Sequence, residues 1–485
     1  MGSVAGLSVA LLTGQAAVLT VGPSGTYAKP CLAIRHAHAG DTIQIDAAGN
    51  YSGDVCRWLT NNLTLIGVNG RPHVDAAGRN ASGKGIWVID GNGTVVENME
   101  FSGATAPDGN GAGIRHEGVG LTVRNSYFHH NQNGVFSTAT GGAVWIEYSE
   151  FAYNGSGSGH THNMYIGHVD TFTLRYSYSH HANIGHLVKS RAGTSYILYN
   201  RLTDEAGGQA SYELDLPNGG TSYVIGNVIE QSRTTTNSTI MSYGEEGIAP
   251  PVVAQDLYVV NNTFVNDATG GMFIQVDPSV VPAAVLTNNI FSGPGTLTNQ
   301  NGALLTGNII AGNPHFADAA DYDYHLLAAS PAIGAGASPG YSSENVSLAA
   351  VEQYVHSECA QGRGNTNDSG AMEYRSAMVG VTCSSQSPAV SNVTATLVIS
   401  TRSVKGGNSV GATVFLNQPA PPDGVQLAFS SPSACINVPD SVTVPAGQSS
   451  VSFTLATQPV TSVTTAVLEV NAAGGEGQAV LTVTP

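Results

Sequence analysis

Charge is scarce in this chain. Only 11% of the 485 residues are Asp, Glu, Lys or Arg, against roughly 25% in ordinary globular domains. Basic residues are the scarcer kind: 17 Lys and Arg stand against 34 Asp and Glu, a formal net charge of −17. That balance argues against nucleic acid and anionic membrane surfaces as partners. It leaves room for an acidic polysaccharide, met by a local basic patch or a bound cation. Cysteine is also sparse. The five residues form no CxxC spacing, so zinc and thioredoxin-type chemistry are not indicated. Cys31 and Cys56 bracket the first strands, Cys359 and Cys383 lie near the end of the long domain, and Cys435 stands alone. We read these as two local disulfides, Cys31–Cys56 and Cys359–Cys383, plus one buried thiol, which fits an oxidising, extracytoplasmic setting. Long apolar runs are missing too. No stretch reaches the roughly 18 residues of a membrane span, so no membrane insertion is expected. Residues 1–16 carry an apolar run without a basic leader and fit a trimmed signal peptide, an artificial start or a first strand.

What fills the chain instead is Gly, Ser, Thr and Asn among short β-prone runs. At 41% hydrophobic it is not a disordered composition. Few charges, 59 glycines and many short β-branched segments predict an all-β, loop-rich protein. Near the start, Pro30 suits a first helical turn. Cys31, Ile34 and Ala37 then recur every three residues, and Gly40 ends the run. This predicts a short amphipathic helix covering the open end of a stack of strands.

From about residue 85 to 310 the chain repeats. The segments TVVENMEF, LTVRNSYF, VWIEYSEF, FTLRYSYS, YILYNRLT, YVIGNVIE, YVVNNTFV, VLTNNIFS and LLTGNIIA align on Asn98, Asn125, Tyr148, Tyr176, Asn200, Asn227, Asn262, Asn289 and Asn308. A period of 20–50 residues marks a repeat architecture. These units fit coils of a parallel β-helix, each short strand pairing with its equivalent in the next coil. A recurrent Asn can hydrogen-bond along the axis and tolerates left-handed backbone.

The opening TYAKPCLAIRHAHAGDTIQIDAAGNYSG, the repeats, and the closing DYDYHLLAASPAIGAGA and NTNDSGAMEY resemble secreted bacterial right-handed parallel β-helix proteins of the pectate-lyase-like superfamily, over residues 17–376. The resemblance implies a right-handed solenoid, secretion or a cell-surface location, and a carbohydrate partner. Residues 377–392 read as a linker. Residues 393–485, with about seven alternating strands and no Trp, Tyr or His, resemble the immunoglobulin-like sandwich modules appended to such proteins. Only Phe415, Phe429 and Phe453 are aromatic there, all at expected core positions, so a spacer role is expected.

The ionisable groups gather in residues 159–220, with six of the fifteen histidines and Lys189, one of four lysines. Counting back from the repeat position stacks Tyr165 on Lys189 in adjacent coils, about 4.8 Å apart. Asp215 falls one residue out, by a slip or by an extra residue in the turn 216–220. Alternation about Lys189 and Asp215 places Asn163, Arg191 and Glu213 on the same outward face. His162 and His186 stack at an odd offset and reach that face only if the strand turns a corner.

The chemistry this set suggests is β-elimination from a uronic acid. It needs a base for the proton beside the carboxylate, a cation on that carboxylate, and a donor for the leaving oxygen. Lys189 is the expected base and Arg191 or Arg201 the carboxylate partner, with Tyr165, His162 or His186 completing the acid–base set. Asn163, His168, Glu213 and Asp215 are expected to bind substrate, and Glu213 with Asp215 to hold a Ca²⁺. The run Lys189-Ser190-Arg191 before YILYN resembles the base-bearing coil of the alginate lyase and chondroitinase B group. Only Lys189 carries over, because the next coil offers Glu213 and Asp215 where that group places an arginine. Two other readings stand beside the lyase. One is a glycoside hydrolase or epimerase using Glu213 and Asp215 with Asp204, Glu205, Glu245 or Glu246. The other is a non-catalytic glycan-binding or surface-structure protein. His160, His162 and His168 form a further, loosely spaced candidate for a transition metal.

Overall fold

Strands of three to five residues cannot make a stable sheet alone, and in this chain each is completed by the equivalent strand one coil away. The structure, a computed structural model, describes residues 16–252, 254–364, 367–374, 381–383, 395–399 and most of 401–485. It shows a parallel β-solenoid of about ten turns with three sheets. The first sheet has twelve strands, from Val18–Val21 to Leu304–Thr306. The second has ten, from His73–Asp75 to Ile309–Ala311, and the third has ten, from Cys56–Trp58 to Thr296–Thr298. The chain visits the first, second and third sheets in turn, then steps up one coil.

Stacking puts like on like inside. Phe101, Phe128 and Phe151 lie in one column with ring centroids 5.0 and 4.9 Å apart, and Phe264 and Phe291 continue it at 5.2 Å. All five are buried. Each contributes about 1.5–3 kcal/mol by leaving water.

Polar groups at one corner of the coils are satisfied along the axis. Ser126, Ser149, Ser177, Asn200, Asn227, Asn262, Asn289 and Asn308 form a ladder at the corner between the first and second sheets. The backbone N–H of each donates to the side-chain oxygen of the next. From Asn200 onward the side-chain amide adds a second bond.

The repeat alignment therefore needs a one-residue correction. Arg175 pairs with Leu198, so Tyr176 matches Tyr199, and Asn200 matches Ser177. Two adjacent columns had been merged. The outer one, Asn98, Asn125, Tyr148, Tyr176, Tyr199, Asn261 and Asn288, has φ between 46° and 57°. Gly226, at φ 71°, holds the same place where a Cβ would lie 2.4 Å from the Tyr199 ring. The inner column is the ladder. Serine and asparagine are interchangeable there because both offer an oxygen to the N–H below.

The amphipathic helix spans Pro30–His36, with proline in its first turn and a backbone bond at Ala37. It stops at Ala37 rather than Gly40 because Ala37 is already extended, with φ −74° and ψ 144°. It packs on the first strands and is tied to Cys56 through Cys31. The second disulfide, Cys359–Cys383, joins antiparallel strands Cys359–Gly362 and Val381–Cys383. That strand falls inside residues 377–392, so the segment read as linker is partly structured; the rest of it lies outside the described residues, as do residues 1–15. Residues 342–363 run beside the first sheet, where Tyr199 Oη accepts from Val351 N–H and Tyr258 Oη from Ser343 N–H. Two disulfides point to an oxidising, extracytoplasmic environment. No helix among the described residues is long and apolar enough to cross a membrane.

Beyond residue 394 the strands form two small sheets, of four and five strands, over one apolar cluster, an arrangement compatible with a β-sandwich. Phe429 is buried and meets Phe453 edge-on, and Cys435 is a buried free thiol. The side chain of Phe415 lies outside the described residues.

The ladder makes a direct prediction. Asn227→Ala removes four side-chain bonds and leaves buried groups of Ile197, Asn200 and Asn262 short of partners. Each such group costs about 1–3 kcal/mol. Urea denaturation should show a loss of at least about 2 kcal/mol; a loss under about 0.5 kcal/mol would remove the ladder from the account.

Candidate functional site

Strand register places a continuous row on the outer face of the third sheet. Arg115, Phe136, Tyr165, Lys189, Asp215, Ser242 and Gln275 occupy equivalent positions in seven successive coils. Tyr165 stacks on Lys189, and Asp215 follows in register. The turn 216–220 holds the extra residue, since Lys189 precedes Thr194 by five and Asp215 precedes its partner Thr221 by six.

The strands of this sheet begin with a corner. Leu187 and Val188 are adjacent, yet both lie in the core. Strict alternation is broken there, so residues three apart emerge on one face. That is how His162 joins Tyr165, and His186 joins Lys189. The same corner sends Asn163 and Glu213, which match Leu187 in register, inward.

The outward groups touch. Arg115 lies over the Phe136 ring at 4.0 Å, and Phe136 meets Tyr165 edge-on at 5.0 Å. Arg191 Nε donates to Tyr165 Oη at 2.7 Å and Nη1 to Asn218 Oδ1 at 2.7 Å. Lys189 Nζ lies 2.7 Å from Asp215 and 3.3 Å from Glu246, whose other oxygen is 2.6 Å from Arg191. Ser242 Oγ donates to Asp215 at 2.5 Å. His162 and His186 rings stack at 4.5 Å, and His186 Nε2 lies 3.4 Å from Asp215. His186 N–H donates to His162 Nδ1, which leaves a neutral His162 protonated on Nε2.

Both histidines are held neutral. Burial and then the neighbouring His186 and Lys189 disfavour a proton on His162 and keep it well below the ordinary range, and burial followed by Lys189 pushes His186 down to about 3. Accessibility is uneven. The Lys189 and Asp215 side chains are 11% and 5% exposed, while Glu246 is 47% exposed.

Four expected site residues lie elsewhere. Asn163 is buried and extends a second amide ladder, Asn131–Asn154–Asn163, capped by Ser179 and His180 O. Arg201 belongs to the second sheet, where it pairs with Glu205 and donates to Tyr322 O. His168 sits in the turn after strand Met164–Ile166. Glu213 faces the interior, so it cannot share an ion or a substrate with Asp215 across the strand. His160, His162 and His168 do not converge on one point among the described residues. His162 is buried with Nδ1 engaged, while His160 is exposed and His168 lies past the far end of the strand.

Arg115, Phe136, Asn218 and Ser242 were not legible as site residues. The separation from this row to the next corner varies from ten residues, Arg115 to Asn125, to nineteen, Ser242 to Asn261, so counting from one repeat misplaces some of them. Basic or aromatic residues at that approximate offset in the four coils of Arg115, Phe136, Tyr165 and Lys189 were the available signal.

Glu213 belongs to a buried acidic group with Asp204 and Glu230. Gln231 Nε2 reaches Glu213 at 3.4 Å, and Asp204 Oδ1, Glu213 Oε1 and Glu230 Oε1 lack a protein partner. Burial pushes Asp204 up to about 7 and Glu230 up to about 8. Burial and then the charges of Asp204 and Glu230 hold Glu213 well above the ordinary range. The folded state keeps protons that the unfolded chain releases above its ordinary values. These acids therefore contribute most below pH 4 and cost stability as pH rises through about 8. The buried histidines act in the opposite sense. His116, pushed down to about 4 by burial, and His186 refuse protons that the unfolded chain takes up below about 6.5.

Glu230→Gln removes one source of the alkaline loss. Its stability relative to the unsubstituted chain should rise between about pH 5 and pH 8, with a slope of up to about 1.4 kcal/mol per unit. Urea denaturation across that range measures it, and a pH-independent difference would contradict the assignment.

No family model matches the chain and no curated protein matches it, so the site stands on its own geometry.

Proposed function

We propose that the chain is a secreted bacterial protein that cleaves an acidic, uronate-containing polysaccharide by β-elimination on the outer face of the third sheet. The observation that carries this reading is the joined set Tyr165, Lys189 and Arg191, with neutral His162 and His186 behind it. In a chain of net charge −17 this face gathers Arg57, Lys84, Arg115, Lys189 and Arg191, each paired with a carboxylate of Asp90, Glu117, Asp215 or Glu246. The row runs along the solenoid axis, where an extended glycan can lie across several coils. The resemblance of residues 17–376 to the pectate-lyase-like superfamily supports the same class, and the C-terminal strands are assigned as an immunoglobulin-like spacer.

The roles follow from the contacts. Lys189 is engaged by two carboxylates, so it serves as a cation rather than as the base. With Arg191 it takes the uronate carboxylate and neutralises the charge that grows when the adjacent proton leaves. Tyr165 Oη is the half-exposed group for proton transfer, and the Arg191 guanidinium supports negative charge on that oxygen. The proton leaves the carbon beside the carboxylate, a carbon–carbon double bond forms, the glycosidic carbon–oxygen bond breaks, and the leaving oxygen takes a proton. His186, at about 3, is too weakly basic to be the base. Its place beside Asp215 is a positioning one.

Glu246 occupies the place a substrate carboxylate would take, bridging Lys189 and Arg191 from the exposed side. A glycoside-hydrolase reading also has one observation in its favour: Asp215 and Glu246 are two outward carboxylates that contact the same ammonium.

An ultraviolet assay for unsaturated uronate on a panel of acidic polysaccharides tests the reading. Tyr165→Phe should lower turnover by about 10²–10⁴-fold, the usual weight of general acid–base catalysis, with KM little changed. Arg191→Ala should raise KM and also lower turnover, because the guanidinium holds the carboxylate and supports the Tyr165 oxygen. New reducing ends without the ultraviolet signal would select the hydrolase instead, and neither signal would overturn catalysis. Glu246→Gln gives an independent check. It removes the carboxylate partner of Arg191 and leaves Lys189 with Asp215 alone, so KM for an acidic oligosaccharide should fall several-fold; an unchanged or raised KM would take the carboxylate site away from Lys189 and Arg191.

A further inference from the structure

The second sheet carries a cluster that the proposed chemistry does not use. His73 and Glu100 are register partners in adjacent coils, and His129 lies one coil further on and two residues along. Glu100 Oε1 is 3.0 Å from His129 Nε2 and 3.7 Å from His73 Nε2. One donor atom from each residue falls within a 4.8 Å sphere of separations. The side chains are 42%, 26% and 17% exposed for His73, Glu100 and His129, so an ion can reach them.

We propose that His73, Glu100 and His129 form a binding site for a borderline divalent transition metal, of the Zn²⁺ or Co²⁺ class. Two nitrogens and a carboxylate oxygen are the donor set such ions select. The spacing fits as well. Ligand atoms about 2.0–2.1 Å from a tetrahedral ion lie about 3.3 Å apart, and the two separations to Glu100 bracket that value.

The surroundings prepare the ligands. His129 Nδ1 lies 2.8 Å from His130 Nδ1, so one of the two carries the shared proton. Placing it on His129 leaves Nε2 free to ligate and gives that histidine the outer hydrogen bond that metal-bound imidazoles usually make. Tyr127 stacks on the His129 ring at 4.3 Å and fixes its plane. His73 Nε2 contacts Ser102 Oγ at 2.7 Å, a bond that gives way when the nitrogen takes an ion.

The fold supplies its own control. Two coils on, Glu150 contacts His180 Nε2 at 3.2 Å, His180 Nδ1 lies 2.7 Å from His181 Nδ1, and Tyr178 stacks on His180 at 4.1 Å. The Glu, the two His and the Tyr are the same, and of the three proposed ligands one differs; Ser102, which contacts that ligand, is also replaced, by Ala152. The register partner preceding Glu150 is Tyr127, where the first unit has His73. The second unit thus lacks the third ligand and should not bind.

The full-length chain, stripped with a chelator, would be titrated with ZnCl₂ by calorimetry and with CoCl₂ by visible absorption. The expected result is one ion per chain, with the intense visible bands of four-coordinate Co²⁺. His73→Ala, at an exposed position, should weaken binding at least tenfold, Glu100→Gln should also weaken it, and His180→Ala should leave it unchanged. Absence of saturable binding would overturn the proposal and leave a hydrogen-bonded His–Glu–His ladder. Binding indifferent to His73→Ala, or lost equally on His180→Ala, would overturn it as well.

Discussion

Axial register is the constraint on which this structure rests. No single coil buries enough surface or satisfies enough backbone to stand alone, so every residue is chosen against the residue one coil above and below. The Ser–Asn ladder shows the logic at its most economical. A buried N–H at the corner needs an acceptor, and the side chain of the next coil supplies it. The phenylalanine column follows the same rule with dispersion in place of hydrogen bonds. Once register is set, the outward residues fall into rows as well, and a surface site becomes a row of the same ladder.

That link explains how much could be read from the sequence. The solenoid was legible because its period survives in Val, Ile, Asn and Tyr at the corners, and both disulfides were legible because their partners flank short elements. Counting paired Tyr165 with Lys189 because two offsets cancel: Asn200 lies one residue past the column of Tyr176, and the turn after Lys189 is one residue shorter than the turn after Tyr165. The error of one residue at Asn200 had a physical origin: Asn is common in both the left-handed outer column and the inner ladder, and a single sequence does not label which column an Asn fills. Asn163 and Glu213 were misplaced for a related reason. Alternation assumes a straight strand, and the corner at Leu187–Val188 turns two consecutive side chains inward. The same corner brings His186 beside Asp215. Glu246 contributes from a turn 57 residues beyond Lys189, a contact that no local pattern encodes.

Electrostatics separate the frame from the site. Inside, the chain accepts protonatable groups without charge: neutral histidines at 116, 162 and 186, and carboxyl groups at 204, 213 and 230 raised by burial. Outside, charges occur in compensated sets on all three sheets, with Arg124 and Arg175 sharing Glu147 on the first. On the third sheet Lys189 and Arg191 share Glu246, a carboxylate exposed enough to be displaced. On the second sheet Glu100 is shared by two imidazoles at ligand spacing. In both places stacking delivers side chains from consecutive coils to a common point, which a loop-built site would have to achieve by separate means.

The proposed function has an acidic glycan lying along the third-sheet row with its carboxylate between Lys189 and Arg191. A crystal structure of the Tyr165→Phe protein with a uronate oligosaccharide tests it most directly. Sugar density is expected along Tyr165, Lys189 and Asp215, with a carboxylate within about 3 Å of Lys189 Nζ and the Arg191 guanidinium and Glu246 moved aside. Oligosaccharide bound on another face, with Glu246 still bridging the two cations, would contradict it.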